Sequence, residues 1–235
     1  MDKLPRYRVE YAKGQPVAYI SHLDLAKTLE RAARRAGLPL ALSGGFNPHP
    51  KVSFGSVLPV GITGEHEYLD VELLSELPPQ ELKARWQEKL PPGLELREVR
   101  LVPTNAPALM SVIDCARYHV RVALLTSNTP DEIQTAIQKI LAQESLVIER
   151  DSKKGVRQVD IRPGILALAG RIDNGRLDLD MLLRTGSQGN VRPEEVIQAI
   201  KHYAGLSVQT EGWRITRTGL YIGADKLVSP LELTS

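Results

Sequence analysis

The stretch RYRVEYA, Arg6 to Ala12, sets Tyr7, Val9 and Tyr11 against Arg6, Arg8 and Glu10. A period of two is the mark of a strand with one buried face. Ser21 downstream reads as a helix N-cap, with Asp24 at the third helical position, where its carboxylate reaches back and suits the helix dipole. The spacing predicts a helix to about Ala36, ended by Gly37 with Pro39 beyond. On a helical wheel Leu25, Leu29, Ala32, Ala33 and Ala36 share one face, and Lys27, Arg31, Arg34 and Arg35 the opposite one.

Leu38 to Leu42 reads as a short strand leading into the run SGGFNPHPKVSFG, Ser43 to Gly55. Val57 to Ile62 contains Pro59 and, if extended, belongs at a sheet edge. Tyr68 to Leu73 alternates as another strand. Pro78 and Pro79 open a helix to about Leu90, broken by Pro91-Pro92-Gly93, and Leu94 to Val102 closes this half. The order is βαββαβ, and PTNAP, Pro103 to Pro107, reads as a domain boundary.

The second half repeats the opening with Arg117, Tyr118, His119 and Val120. Thr129, Pro130 and Glu132 form a capping box before the buried stripe Ile133, Ile137, Ile140 and Leu141. Two hairpins follow, one around SKKG and one turning at Asn174-Gly175. A helix from about Arg192 and a strand from Trp213 to Ile222 complete it. The expected fold class is therefore α+β: two tandem ferredoxin-like βαββαβ units with antiparallel sheets, over residues 1–103 and 108–235. In such a unit both helices lie on one face of the sheet, which leaves the other face free for a partner.

Apolar content of 42% and charged content of 25% are ordinary globular values. No apolar run nears the roughly 20 residues that span a bilayer, and the N-terminal residues carry no export signal, so a soluble cytoplasmic chain with no membrane partner is expected. The single cysteine, Cys115, excludes a disulfide framework and any metal or cluster site built from several thiolates, and it reads as a small buried residue. No metal-ligand spacing is visible around His49, His66 and Asp70. The net charge of +2 hides an imbalance: residues 1–60 hold nine Lys or Arg against four acids, whereas residues 61–100 hold five against nine. The basic end suggests an anionic partner.

Two segments carry the candidate chemistry. A connection as long as Ser43 to Gly55 inside a domain is uncommon unless functional, and both phenylalanines of the chain, Phe46 and Phe54, sit in it. They can stack on bases while Ser43, Asn47, His49, Lys51 and Ser53 contact sugar, phosphate or base edges, or they can anchor the loop to the sheet. The cationic face of Lys27, Arg31, Arg34 and Arg35 suits phosphates or serves as a solvated helix face. In the second half RTGSQGNVRP, Arg184 to Pro193, joins a strand to a helix through small residues. Arg162, Arg184, Ser187, Asn190 and Arg192 make an anion site there or a plain capped turn. The GK[ST] ending of a Walker loop is missing. His22 and His49 are the acid–base residues that would serve an RNA-cleaving pair, though nothing in their spacing compels it.

The segments YRVEYAKGQPVAYISHLDLAKTLERAARRAGLPLALSGGFNPHPKVSFG and LPVGITGEHEYLDVEL, with VDIRP and RTGSQGNVRPEEV, resemble the radical-SAM-associated family of unknown function that carries a DUF2344-type domain. The resemblance implies a partner module, fused to or encoded beside a radical SAM protein and associated with RNA processing and the ribosome. This chain lacks the CxxxCxxC of a radical SAM enzyme, so S-adenosylmethionine and the iron–sulfur cluster would belong to the partner, and no cofactor is expected here. Three functions follow as expectations. The first is a non-catalytic module that presents RNA or a ribosome-linked substrate to a radical SAM enzyme. The second is a standalone metal-independent ribonuclease or RNA-modifying enzyme using His22 and His49, and the third is a protein–protein adaptor.

Overall fold

Tyr7, Val9 and Tyr11 do share one buried face, packed with Leu25, Leu29, Ala32 and Ala33 of the first helix and Leu82 and Trp86 of the second. The computed structural model that places them describes residues 4–103, 105–152, 155–186 and 189–234. The chain divides into two compact units, Met1–Ile113 with Gly219–Ser235, and Asp114–Thr218.

The first unit runs β1 (Arg6–Lys13), α1 (His22–Arg35), β2 (Val52–Phe54), β3 (Thr63–Glu72), α2 (Pro79–Glu88) and β4 (Leu94–Val102). The central strand β1 is antiparallel to both neighbours, with Val9 opposite Leu69 of β3 and Val99 of β4, and β2 pairs with β3 at Leu69 to Val71. Ser21 caps α1 as its sequence demands, its hydroxyl accepting from the Asp24 N–H at 3.1 Å. The fully buried Trp86 donates its indole N–H to the Leu29 carbonyl at 3.1 Å, joining the two helices. Each such large apolar side chain contributes about 1.5–3 kcal/mol by leaving water. Leu38 to Leu42 is not a strand but makes isolated bridges, Leu40 to Leu73 and Leu42 to Pro50. Val57 to Ile62 forms no strand. Pro39, Pro50 and Pro59 withhold the N–H groups a continuous ladder requires.

The far face of this sheet is not free, contrary to the expectation above. Arg8 and Glu10 on β1, and Asp70 and Tyr68 opposite them on β3, are buried. Arg8 forks onto Asp70 at 2.8 and 3.0 Å and donates to the carbonyls of Pro107 and Pro230. Residues 105–113, including the short helix α3 (Leu109–Val112), and the C-terminal segment around Pro230 cover the centre of the face themselves. Gly55 permits this approach, because a Cβ there would lie 2.7 Å from Ile113 Cδ1. The unit therefore ends at Ile113 rather than near Pro103, and residues 219–235, expected in the second domain, return to the first.

The second unit contains β5 (Cys115–Leu124), α4 (Pro130–Leu141), β6 (Val147–Ser152), β7 (Gly155–Asp160), β8 (Ile165–Asp173), β9 (Arg176–Arg184), α5 (Pro193–Ala199) and most of β10 (Val208–Tyr221). Its strand order is β10-β5-β9-β8, all neighbours of known register being antiparallel. The plain βαββαβ order expected here is interrupted: β6 and β7 form a two-stranded ribbon of their own. The β8–β9 turn needs left-handed backbone at both central residues, Asn174 at φ +48° and Gly175 at φ +74°. The capping box at Thr129 and Glu132 is formed, and Ile133, Ile137 and Ile140 are buried. Among the described residues no helix is long and apolar enough to cross a membrane.

Candidate nucleic-acid interface

The Ser43 to Gly55 segment is a built loop. The Ser43 N–H donates to the His49 carbonyl at 2.8 Å, the His49 N–H donates to the Ser43 hydroxyl at 3.0 Å, and Leu42 bridges Pro50. Below this closure the Lys51 N–H bonds Ala41 and the Glu72 N–H bonds Lys51, which ties the base of the loop to β3. The tip, Gly44 to Pro48, is exposed throughout, and Gly45 takes φ +101°, a conformation that suits glycine. Phe46 at this tip is fully exposed, at 111% of its reference surface.

The two phenylalanines have different fates. Phe54 lies on β2, partly buried against the core, and meets the His22 ring edge-on at 4.7 Å and Tyr11 at 6.4 Å. It is an anchor, as the packing alternative had it, and of the two only Phe46 presents its ring to solvent. Asn47 and His49 are exposed beside Phe46, and Ser53 is exposed on β2 opposite Asp70. Lys51 is paired with Glu72 at 2.8 Å, which offsets its charge. The His22 ring sits against Phe54, a packing role at the first residue of α1.

On α1 the exposed side chains of Lys27, Arg31 and Arg34 make no hydrogen bond or ion pair to any described residue. They lie four and three residues apart, on one face, over about 10 Å of helix. Arg35 is different, donating to the Lys89 carbonyl at 2.7 Å. Arg34 and Arg35 also occupy the last turn, where a cation suits the helix dipole. The carbonyls that end the helix, Ala36 and Gly37, are satisfied by Arg85 at 3.0 and 2.7 Å.

The second predicted cluster is not brought together as free cations. Arg162 donates to the carbonyls of Leu141, Gln143 and Ile165, closing the C-terminal end of α4. Arg184 faces Asp114 at 3.4 Å. Asn190 accepts from the Thr185 hydroxyl through its side chain and from Arg150 through its carbonyl. Arg192 is exposed, and its N–H donates to the Glu195 carboxylate at 2.9 Å, so a carboxylate of the chain already occupies the start of α5. Ser187 lies outside the described residues. The residue that organises this corner is Arg150, which forks onto Glu195 at 2.7 Å through two nitrogens. In the sequence Arg150 is only a strand end. Its one signal, a cation before SKKG with an acid pair forty-odd residues on, is too weak to find unaided.

Cys115 is buried, and burial together with the neighbouring Asp114 charge pushes its thiol up to about 12. It has the character of an inert core residue.

Residues 6–193 match the family model described as "Uncharacterized protein conserved in bacteria (DUF2344)", and the chain belongs to that family. No curated protein matches the chain. Among solved structures, it is similar to a chain in a Cbf5–Nop10–Gar1 complex (11% identity, TM-score 0.49, covering 92% of this chain and 49% of that one). It is also similar to a chain of the archaeal box H/ACA sRNP Nop10–Cbf5 complex (12% identity, TM-score 0.47, covering 99% and 53%). This chain thus spans about half the length of the chains it resembles.

Proposed function

We propose that this chain is a non-catalytic, cytoplasmic RNA-binding module that works beside a separate radical SAM enzyme in RNA modification or ribosome biogenesis. The single observation that carries the RNA reading is Phe46: a full aromatic ring held in solvent at the tip of a loop whose base is closed by hydrogen bonds. Leaving that ring wet forgoes about 1.5–3 kcal/mol of burial, and stacking on an unpaired base recovers it. The row Lys27, Arg31 and Arg34 supplies unneutralised charge for phosphates. The scaffold is read as two ferredoxin-like units, supported by the strand orders around β1 and β5, with the β6–β7 ribbon as an insertion in the second. The radical SAM partner, with its S-adenosylmethionine and iron–sulfur cluster, rests on the sequence resemblance alone.

The test is fluorescence anisotropy with a labelled single-stranded RNA of mixed sequence, titrated with the full chain at several salt concentrations. Phe46→Ala should weaken binding by about 1–3 kcal/mol, roughly 5- to 150-fold, as loss of one stacked base does. An affinity unchanged by Phe46→Ala, or no binding at low salt, overturns the reading.

A further inference from the structure

We propose that the second unit carries a peptide-binding groove, separate from the RNA reading, that takes an extended segment as an added strand along β6. The groove has a volume of about 580 Å³ and is lined by β6, α5 and the residues that follow α5. That size falls in the range of ordinary ligand sites, roughly 300–1,000 Å³. Ile148 and Ile197, both buried, supply an apolar floor.

The walls are held at two points. At one end the Tyr203 hydroxyl donates to the Val147 carbonyl and accepts from the Val147 N–H, both at 3.0 Å. At the other the Arg150–Glu195 fork joins the ribbon to α5. Tyr203 reaches Val147 from a π-type turn, Ile200–Ala204, that continues α5, and such turns are frequent at functional sites.

The edge of β6 between these points is open. β6 pairs only with β7, so its second edge has no strand among the described residues. Val147 turns its N–H and C=O away from β7 to meet Tyr203, and an antiparallel ladder alternates, so Glu149 two residues on also presents its N–H and C=O outward. A peptide laid against that edge can exchange main-chain hydrogen bonds with Glu149 while a side chain enters between Ile148 and Ile197, the strand-addition mode of recognition.

Charge sets the occupant's chemistry. Glu194 stands at one end of α5 and Lys201 and His202 beyond its other end, all lining the groove. The side chains of Glu149, Gln158, Glu194, Gln198 and Lys201 make no hydrogen bond or ion pair to any described residue. Seven residues of helix separate Glu194 from Lys201 by about 10 Å, the span of about three to four residues of extended chain. Side chains of an added strand share a face only at alternate positions, so the complementary ligand is a short extended peptide with a basic, an apolar and an acidic residue each two positions apart.

The test is selection of a random octapeptide display library on the full chain, followed by anisotropy with the labelled winners. Enrichment of the basic–apolar–acidic order at alternate positions is expected, and N-methylation of the peptide backbone at the residue opposite Glu149 should lower affinity roughly tenfold or more. The double exchange Glu194→Lys with Lys201→Glu, at a half-buried and an exposed position, should select the reverse charge order and leave RNA affinity unchanged. No enrichment, winners without charge order, or the same order from the exchanged variant overturns the proposal.

Discussion

Two glycine-rich loops of this chain look alike as sequence and are used in opposite ways. SGGFNPHPKVSFG in the first unit satisfies its own closure with the Ser43–His49 pair and leaves its tip, Phe46 foremost, exposed and without a hydrogen bond or ion pair to any described residue. RTGSQGNVRP in the second unit is tied into its surroundings: Asn190 receives Arg150, Glu195 takes both Arg150 and the Arg192 N–H, and Arg184 meets Asp114. Composition marks a loop as special but does not say whether its polar groups serve the fold or a ligand. The partner of each side chain does. An arginine that already caps a helix or pairs with a buried carboxylate has little left to offer an incoming phosphate.

Stability and binding measured on the same variants put this contrast at risk. The largest effect is expected from Glu195→Ala, which strands Arg150 in a half-buried site and should cost about 3 kcal/mol in urea unfolding, the low end for a broken buried pair. A loss below about 1 kcal/mol, the size of an exposed pair, would free that corner for the anion-binding role the sequence suggested. Arg162→Ala follows, leaving carbonyls at the end of α4 without their donor, at about 1–3 kcal/mol by the same measurement, with RNA affinity unchanged. Phe46→Ala should do the converse, changing stability by less than about 0.5 kcal/mol while weakening RNA by the stacking increment. Replacing Lys27, Arg31 and Arg34 together by Ala should flatten the plot of log affinity against log salt by about 0.7 for each phosphate that is no longer neutralised. An unchanged slope would place the RNA elsewhere.

A smaller effect concerns acid. The Arg121 hydrogen bond holds the buried Asp178 carboxyl below its ordinary value. A folded-state value below the unfolded one contributes stability above the unfolded value of about 3.9 and loses it as pH falls through the folded value. Asp178→Asn should therefore flatten the decline in stability below about pH 4, as followed by circular dichroism.

Much of the local structure is legible in the residues. Ser21, Thr129 and Glu132 announce their helices because a cap needs only neighbours a few residues away, and Asn174-Gly175 announces its turn because both residues tolerate positive φ. The β6–β7 ribbon reads as a hairpin, yet nothing in it tells that it stands outside the main sheet, since period-two alternation is the same in either place. The burial of Arg8 is hidden for a related reason. Alternation puts Arg8 opposite the core, and a solvated face is the natural inference. The cover comes from Pro107 and Pro230, about a hundred and more than two hundred residues away. The candidate loop stands out because two phenylalanines cluster there, but nothing in the residues distinguishes the exposed Phe46 from the packed Phe54.

The alternation of β1, the caps and stripes of α1 and α4, the cationic row on α1 and the lack of the thiolates a cluster would need can all be read without coordinates. Each depends on chemistry within one or two turns of chain, or on composition. Which polar groups are already partnered, that the chain itself covers the centre of the first sheet's far face, and that Phe46 rather than Phe54 is left in solvent are matters of the folded molecule. Those outcomes arise from contacts between residues far apart in sequence, and local pattern carries no trace of them.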